Sequence, residues 1–123
     1  MEIIIKDTYE AMSAAAAKAI AQTMNAKPNA VLGMATGSTP LGTYKELVRM
    51  HREEGLDFSQ VTTFNLDEYV GLPVTHTQSY HHFMFENFFK HVNMSPQNIY
   101  IPSGTTDNYD AFCRWYEQRI RDC

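Results

Sequence analysis

At 123 residues the chain is long enough for one modest domain, and its 44% apolar and 20% charged content is that of an ordinary soluble protein. Its net charge of -4 argues against a nucleic-acid footprint, because Glu117 and Asp122 dilute the one basic stretch, Arg114 to Arg121. No apolar run reaches the roughly 18 residues of a membrane span, and no basic leader with an apolar core predicts a secretion signal.

The first six residues, MEIIIK, are a β-branched run and predict a first strand. Asp7 followed by Glu10 forms a capping box for a helix through the alanine-rich SAAAAKAIAQTM. Ala11, Ala14, Ala15, Ala19 and Met24 give that helix a thin, close-packing face, and Lys27-Pro28-Asn29 makes the turn after it. Val31 to Ala35 reads as a buried strand running into a small-residue turn, Thr36-Gly37-Ser38-Thr39. A helix opens at Pro40, whose missing amide would have had no intrahelical partner. Leu41, Tyr44, Leu47 and Val48 recur along it at helical spacing before the polar HREEGLDFS loop.

Val61 to Leu66 is the third predicted strand, ending at Asp67-Glu68-Tyr69, after which Gly71-Leu72-Pro73 forces a loop. A third helix is expected from Ser79 to His91, a fourth strand from Asn98 to Pro102, and a last helix capped by Asp107. Tyr109, Phe112, Cys113, Tyr116 and Ile120 form one stripe on that last helix. Strands alternating with helices predict an α/β fold with a mostly parallel sheet covered on both faces. Ligands of such sheets bind outside the carboxyl ends of the strands, where both the Gly37 turn and Asp67 fall. The last stripe runs out with neither a glycine cap nor a proline, so residues 1–123 are expected to be the N-terminal part of a single longer domain.

A strand-to-helix turn leaves backbone N–H groups pointing out of a helix N-terminus, where the helix dipole also favours an anion. Gly37 allows close approach, and the hydroxyls of Thr36, Ser38 and Thr39 add donors, so the turn suits a phosphate ester. It is neither a P-loop nor a dinucleotide glycine motif. The same residues also serve a helix that Ser38 or Thr39 merely caps. Asp67, at the end of a buried strand facing such a turn, is the candidate general base, its carboxyl raised by partial desolvation. A side-chain-capped turn is the alternative use of Asp67. Its neighbour Glu68 either adds repulsion or faces the other way. His76, His81 and His82 read as structural or surface residues without metal-ligand spacing, and Tyr80, Phe83, Phe88 and Phe89 as core. Cys113 and Cys123, roughly 15 Å apart on one helix, are too far apart for a disulfide. Free thiols predict a cytoplasmic setting, and neither cysteine has the companions of a zinc site.

The segments MATGSTPLGTYKELV, TTFNLDEYVGLP and SYHHFMFENFF together resemble the N-terminal part of the glucosamine-6-phosphate deaminases. The resemblance covers essentially the whole chain, with FNLDEYVGL its most specific part. The phosphate turn is shared with 6-phosphogluconolactonases, whose acidic element usually continues Asp-Glu-Arg where this chain has Asp67-Glu68-Tyr69. The resemblance implies a Rossmann-like three-layer fold and a hydrolase of amino-sugar and N-acetylglucosamine catabolism that uses no metal or cofactor. Glucosamine 6-phosphate would be converted to fructose 6-phosphate and ammonia. Thr36, Gly37, Ser38 and Thr39 would hold the substrate phosphate, and Asp67 would take the C2 proton as the open-chain sugar becomes an enolamine.

The family's second half carries a Gly-rich segment with an aspartate, a histidine and a glutamate, together with further basic residues for the phosphate. None has a counterpart before Cys123, so the chain by itself is expected to be inactive. A small-molecule substrate is the expected partner, with neither nucleic acid nor membrane, and the resemblance leaves room for a homo-oligomer. Two alternatives remain: a lactonase of the same fold, and a non-catalytic sugar-phosphate sensor, which would keep the turn but need no base at Asp67.

Overall fold

Three short strands, β1 (Val31–Met34), β2 (Thr62–Asn65) and β3 (Ile99–Tyr100), lie side by side in chain order in the computed structural model, which describes residues 1–123. Both pairings are parallel, with Val31 opposite Thr62, Met34 opposite Asn65, and Thr63 opposite Ile99. Parallel neighbours need crossovers, and helices supply them. The order along the chain is α1 (Tyr9–Ala26), β1, α2 (Leu41–Glu54), β2, α3 (Tyr80–Asn87), β3 and α4 (Tyr109–Asp122).

Alternation along β2 separates the two faces of the sheet. Phe64 stacks on Tyr100 at 4.6 Å and meets Tyr116 of α4 edge-on at 5.7 Å, so that face belongs to α4. On the other side Met34, Tyr44, Leu47, Phe58, Met84 and Phe88 form the main core with α1, α2 and α3. Phe88 is its hub, with ring centroids 5.2 Å from Tyr44 and 5.4 Å from Phe58. Each such side chain, fully buried, contributes about 1.5–3 kcal/mol. The α4 layer covers β2 and β3 but leaves Val31 and Gly33 of β1 exposed, so the second face is only partly covered.

The α/β class and the parallel sheet are as expected, but the sheet has three strands rather than four. Met1 to Lys6 forms no strand. A β-branched run becomes one only where an edge takes its hydrogen bonds and a neighbour takes its side chains. Here Ile3, Ile4 and Ile5 are all exposed. The cap of α1 is Thr8, whose hydroxyl accepts the Ala11 N–H at 3.0 Å, rather than Asp7. Its inward face runs through Ser13, Ala17 and Met24, while Ala14 and Ala19 point to solvent. Asn108 rather than Asp107 caps α4, and of the expected stripe only Tyr116 is buried.

The helix α2 does not fade into its loop. It ends at Gly55, whose φ of 73° is left-handed, and Leu56 N–H closes on Met50 O at 3.2 Å. The third helix stops at Asn87, and the chain tightens into a 3-10 turn over Phe89–His91. That tightening turns both Phe88 and Phe89 into the core.

Candidate active site

The strand β1 delivers the chain to the turn in a fixed orientation. Tyr44, buried in the first turns of α2, accepts the Ala35 N–H at 3.0 Å and donates to the Ala35 carbonyl. The residue that opens the turn is thereby held at both of its backbone polar groups. Burial pushes the Tyr44 phenol up, with the Ala35 N–H pulling back against it. Gly37 follows with φ of 101°, a left-handed value that favours glycine. Gly37, Ser38 and Thr39 are exposed and Thr36 is half-buried. The N–H groups of Gly37, Ser38 and Thr39 take no partner within the chain.

The strand β2 ends one position away in the sheet. Met34 and Asn65 are register partners, and Asn65 Nδ2 reaches the Met34 carbonyl at 3.4 Å across the two strand ends. The buried Oδ1 of Asn65 has no partner. Thr36 and Asp67 each lie two residues beyond these register partners, so the turn and the candidate base leave neighbouring strands on the same edge. Asp67 is exposed, not desolvated as the sequence led us to expect. Strand β2 is central and buried, but the chain has left the sheet by Leu66, which is 82% exposed.

Glu68, beside Asp67, is engaged by backbone amides. Its carboxylate accepts the Tyr69, Tyr80 and His81 N–H groups at 2.9, 2.8 and 2.9 Å, capping the first turn of α3. Ser79 completes the cap by accepting the His82 N–H at 3.0 Å. Tyr80 is therefore not the core residue its helical spacing suggested. As the first residue of α3 it points along the strand ends, its hydroxyl 3.2 Å from that of Tyr69 and the two rings 4.7 Å apart. The Tyr80 phenol is pushed up, first by the Tyr69 hydroxyl and then by burial, while the Thr36 hydroxyl pulls it down and the Asp67 charge adds to the rise. The Tyr80 phenol thus lies close to both the Gly37 turn and the candidate base.

Other polar groups stand apart from the crevice. His81 stacks on Phe85 at 4.5 Å, and burial pushes its imidazole below the usual range. His76 Nδ1 accepts the Gln78 N–H in an exposed loop. No group of three or more His, Cys, Asp or Glu side chains is placed to hold a metal ion. A cavity of about 580 Å³ between α1, α2 and α3, lined by Gly42, Lys45, Arg52 and His91, lies behind the turn and touches neither Thr36–Thr39 nor Asp67. A groove of about 420 Å³ does reach Asp67, between Leu66, Val70, Pro102 and the Phe112 and Tyr116 face of α4.

A curated glucosamine-6-phosphate deaminase of Thermoanaerobacter sp. (strain X514) is 52% identical over 120 residues, covering 98% of this chain and 47% of its own length. Glucosamine-6-phosphate deaminase 2 of Bacillus subtilis is 50% identical over 121 residues, with 98% and 49% covered. The solved structure of a monomeric glucosamine-6-phosphate deaminase superposes with a TM-score of 0.96 at 46% identity, covering 99% of this chain and 51% of that one. A 6-phosphogluconolactonase from Thermotoga maritima shares the fold, with a TM-score of 0.72 at 18% identity over 98% of this chain and 53% of its own. The chain spans about half the length of the curated relatives it matches. Hydrolase describes the lactonase relatives, and the deaminase and isomerase names do not carry it. The family model described as glucosamine-6-phosphate isomerases/6-phosphogluconolactonase matches residues 5–123, and the chain belongs to that family.

Proposed function

We propose that residues 1–123 form the N-terminal part of a single sugar-phosphate isomerase/deaminase domain, which converts glucosamine 6-phosphate to fructose 6-phosphate and ammonia. The observation that carries the reading is the meeting of the Gly37 turn and Asp67 at the carboxyl ends of adjacent parallel strands, in a chain about half identical to curated deaminases. The free N–H groups of Gly37, Ser38 and Thr39 and the hydroxyl of Thr36 suit the phosphate ester. With the phosphate held there, C2 of the open-chain sugar is presented to Asp67 and the encounter becomes an oriented step.

Asp67 takes the C2 proton as an enolamine forms, and the same carboxyl returns a proton to C1. The carbon–nitrogen double bond left at C2 then takes up water and expels ammonia, leaving the ketone. The chain's exposed, unpaired Cys113 and Cys123 suit a cytoplasmic setting.

Ammonia release from glucosamine 6-phosphate, by the protein extended to the full length of its relatives, tests the reading. Hydrolysis of 6-phosphogluconolactone in its place would overturn it in favour of the lactonase. Sugar-phosphate binding with neither reaction would point to a sensor.

A further inference from the structure

Helix α2 begins without a cap of its own. Pro40 occupies the cap position and makes no side-chain hydrogen bond, so the N–H of Gly42 in the first turn has no local acceptor. The acceptor comes from 33 residues away: the Tyr9 hydroxyl, at the start of α1, takes the Gly42 N–H at 2.8 Å. The same hydroxyl donates to the Ser38 carbonyl at 2.7 Å, with the Thr39 carbonyl at 3.2 Å. One phenolic oxygen therefore ties the phosphate turn to the helix that follows it.

Glycine at position 42 makes this approach feasible. A Cβ there would stand 2.2 Å from Ser13 Oγ and 2.9 Å from Tyr9 Cε1, so any side chain would push α1 and its tyrosine ring off the first turn of α2. The consequence for the turn follows from peptide geometry. In a planar trans peptide the C=O and the next N–H point in opposite directions. With the Ser38 carbonyl drawn back toward Tyr9, the Thr39 N–H is turned to the opposite side, and it has no partner in the chain.

We propose that Tyr9 is the positioning residue of the phosphate turn, its hydroxyl fixing the Ser38–Thr39 peptide plane so that the Thr39 N–H is free to meet an oxyanion. The proposal rests on reading Thr36–Thr39 as the sugar-phosphate site. Tyr9 touches no substrate and acts only through the backbone it holds.

The test is a titration of the 123-residue chain with inorganic phosphate, followed at the backbone amides of Gly37, Ser38 and Thr39. Tyr9→Phe is expected to weaken phosphate affinity about tenfold, the loss of one net hydrogen bond's worth of orientation. Its Thr39 and Gly42 amide resonances should shift in the free protein. Thr8→Ala is the control, because it removes the cap of the same helix and leaves the hydroxyl of Tyr9 in place. It should lower stability and leave phosphate affinity unchanged.

Wild-type affinity in Tyr9→Phe overturns the proposal, as does an equal loss in Thr8→Ala. Should Tyr9→Phe fail to fold, Gly42→Ala displaces the ring while keeping the hydroxyl and must show the same loss; unchanged affinity there overturns the proposal. Wild-type amides unmoved by phosphate overturn the phosphate reading itself and this proposal with it, an outcome distinct from equal movement in wild type and variant.

Discussion

Glu68 and Tyr80 are joined by the shortest of three hydrogen bonds donated to one carboxylate, Glu68 Oε1 accepting the Tyr80 N–H at 2.8 Å. The relationship fixes the geometry of the crevice in two ways. It turns the acid next to Asp67 toward the N-terminus of α3, where the helix dipole favours a negative charge. It also sets the first residue of α3 beside the strand ends, which brings the Tyr80 hydroxyl to that of Tyr69.

Replacing Glu68 by alanine leaves the Tyr80 and His81 N–H groups without their acceptor. Glu68→Ala is expected to destabilise the chain by about 1–3 kcal/mol, the range for losing hydrogen bonds to a charged partner. Urea unfolding measures the loss, and hydrogen exchange should accelerate at Tyr80 and His81 before it does in β2. Unchanged exchange at those two amides would show that the cap holds nothing.

Gly104 holds the other side of the loop that follows Asp67. Its carbonyl accepts the Gly71 N–H at 2.7 Å, and a Cβ on it would stand 2.2 Å from the Tyr69 carbonyl and 2.7 Å from that of Leu72. Backbone cannot give way as a flexible side chain can. Gly104→Ala is therefore expected to cost about 1–3 kcal/mol as an overpacked contact, and to move the Tyr69 and Tyr80 rings apart. Denaturant unfolding and the loss of ring contacts between Tyr69 and Tyr80 in NMR spectra check both parts. A variant of wild-type stability with the contacts intact would remove Gly104 from this role.

The α/β class, the helix spans to within a few residues, and the position of the Gly37 turn and Asp67 just past adjacent strand ends were all legible, because each rests on local pattern: apolar period, turn residues and strand ends. What was not legible depends on partners far along the chain. Met1–Lys6 has a strand's composition and lacks a strand's neighbour. Tyr80 has core spacing, yet Glu68 places it at the first position of α3, facing the crevice. Tyr9 could have been suspected only from Gly42, a glycine early in a helix, which signals close approach of something unnamed. The expected desolvation of Asp67 failed for the same reason, since burial of β2 ends at Asn65 and the next residues turn outward.

Alkaline pH should weaken the fold through its buried phenols. Burial pushes both Tyr44 and Tyr116 above the ordinary tyrosine range, so the folded chain holds these protons more tightly than the unfolded one. Their contribution is complete below about pH 10, where unfolded tyrosine titrates, and is lost as pH rises through the higher folded values. The urea midpoint is expected to be flat from about pH 8 to 9.5 and to fall above about 10. The Tyr116 hydroxyl also lies 2.7 and 2.9 Å from the Asn65 and Tyr100 carbonyls and donates to them. Tyr116→Phe should therefore be less stable at pH 8 by about 1–3 kcal/mol and lose stability less steeply above pH 10. Curves of equal slope would mean that the alkaline loss has another source.

The last prediction concerns Asp67 itself. A general base at C2 needs its substrate held on one side and water kept out on the other, and in this chain Asp67 is exposed, beside an open groove of about 420 Å³. The chain also spans only about half the length of its deaminase relatives. The 123-residue chain is therefore expected to release no ammonia from glucosamine 6-phosphate above the buffer rate, with wild type and Asp67→Asn indistinguishable. In the protein extended to its relatives' length, Asp67→Asn should lower kcat by about 10²–10⁴-fold, the usual contribution of a positioned acid–base group. On the proposed reading KM should hold, because the Gly37 turn and not Asp67 would make the phosphate contacts. A rise in KM at constant kcat would instead make Asp67 a binding residue, and ammonia release by the short chain that Asp67→Asn abolishes would show that half the fold already suffices for the chemistry.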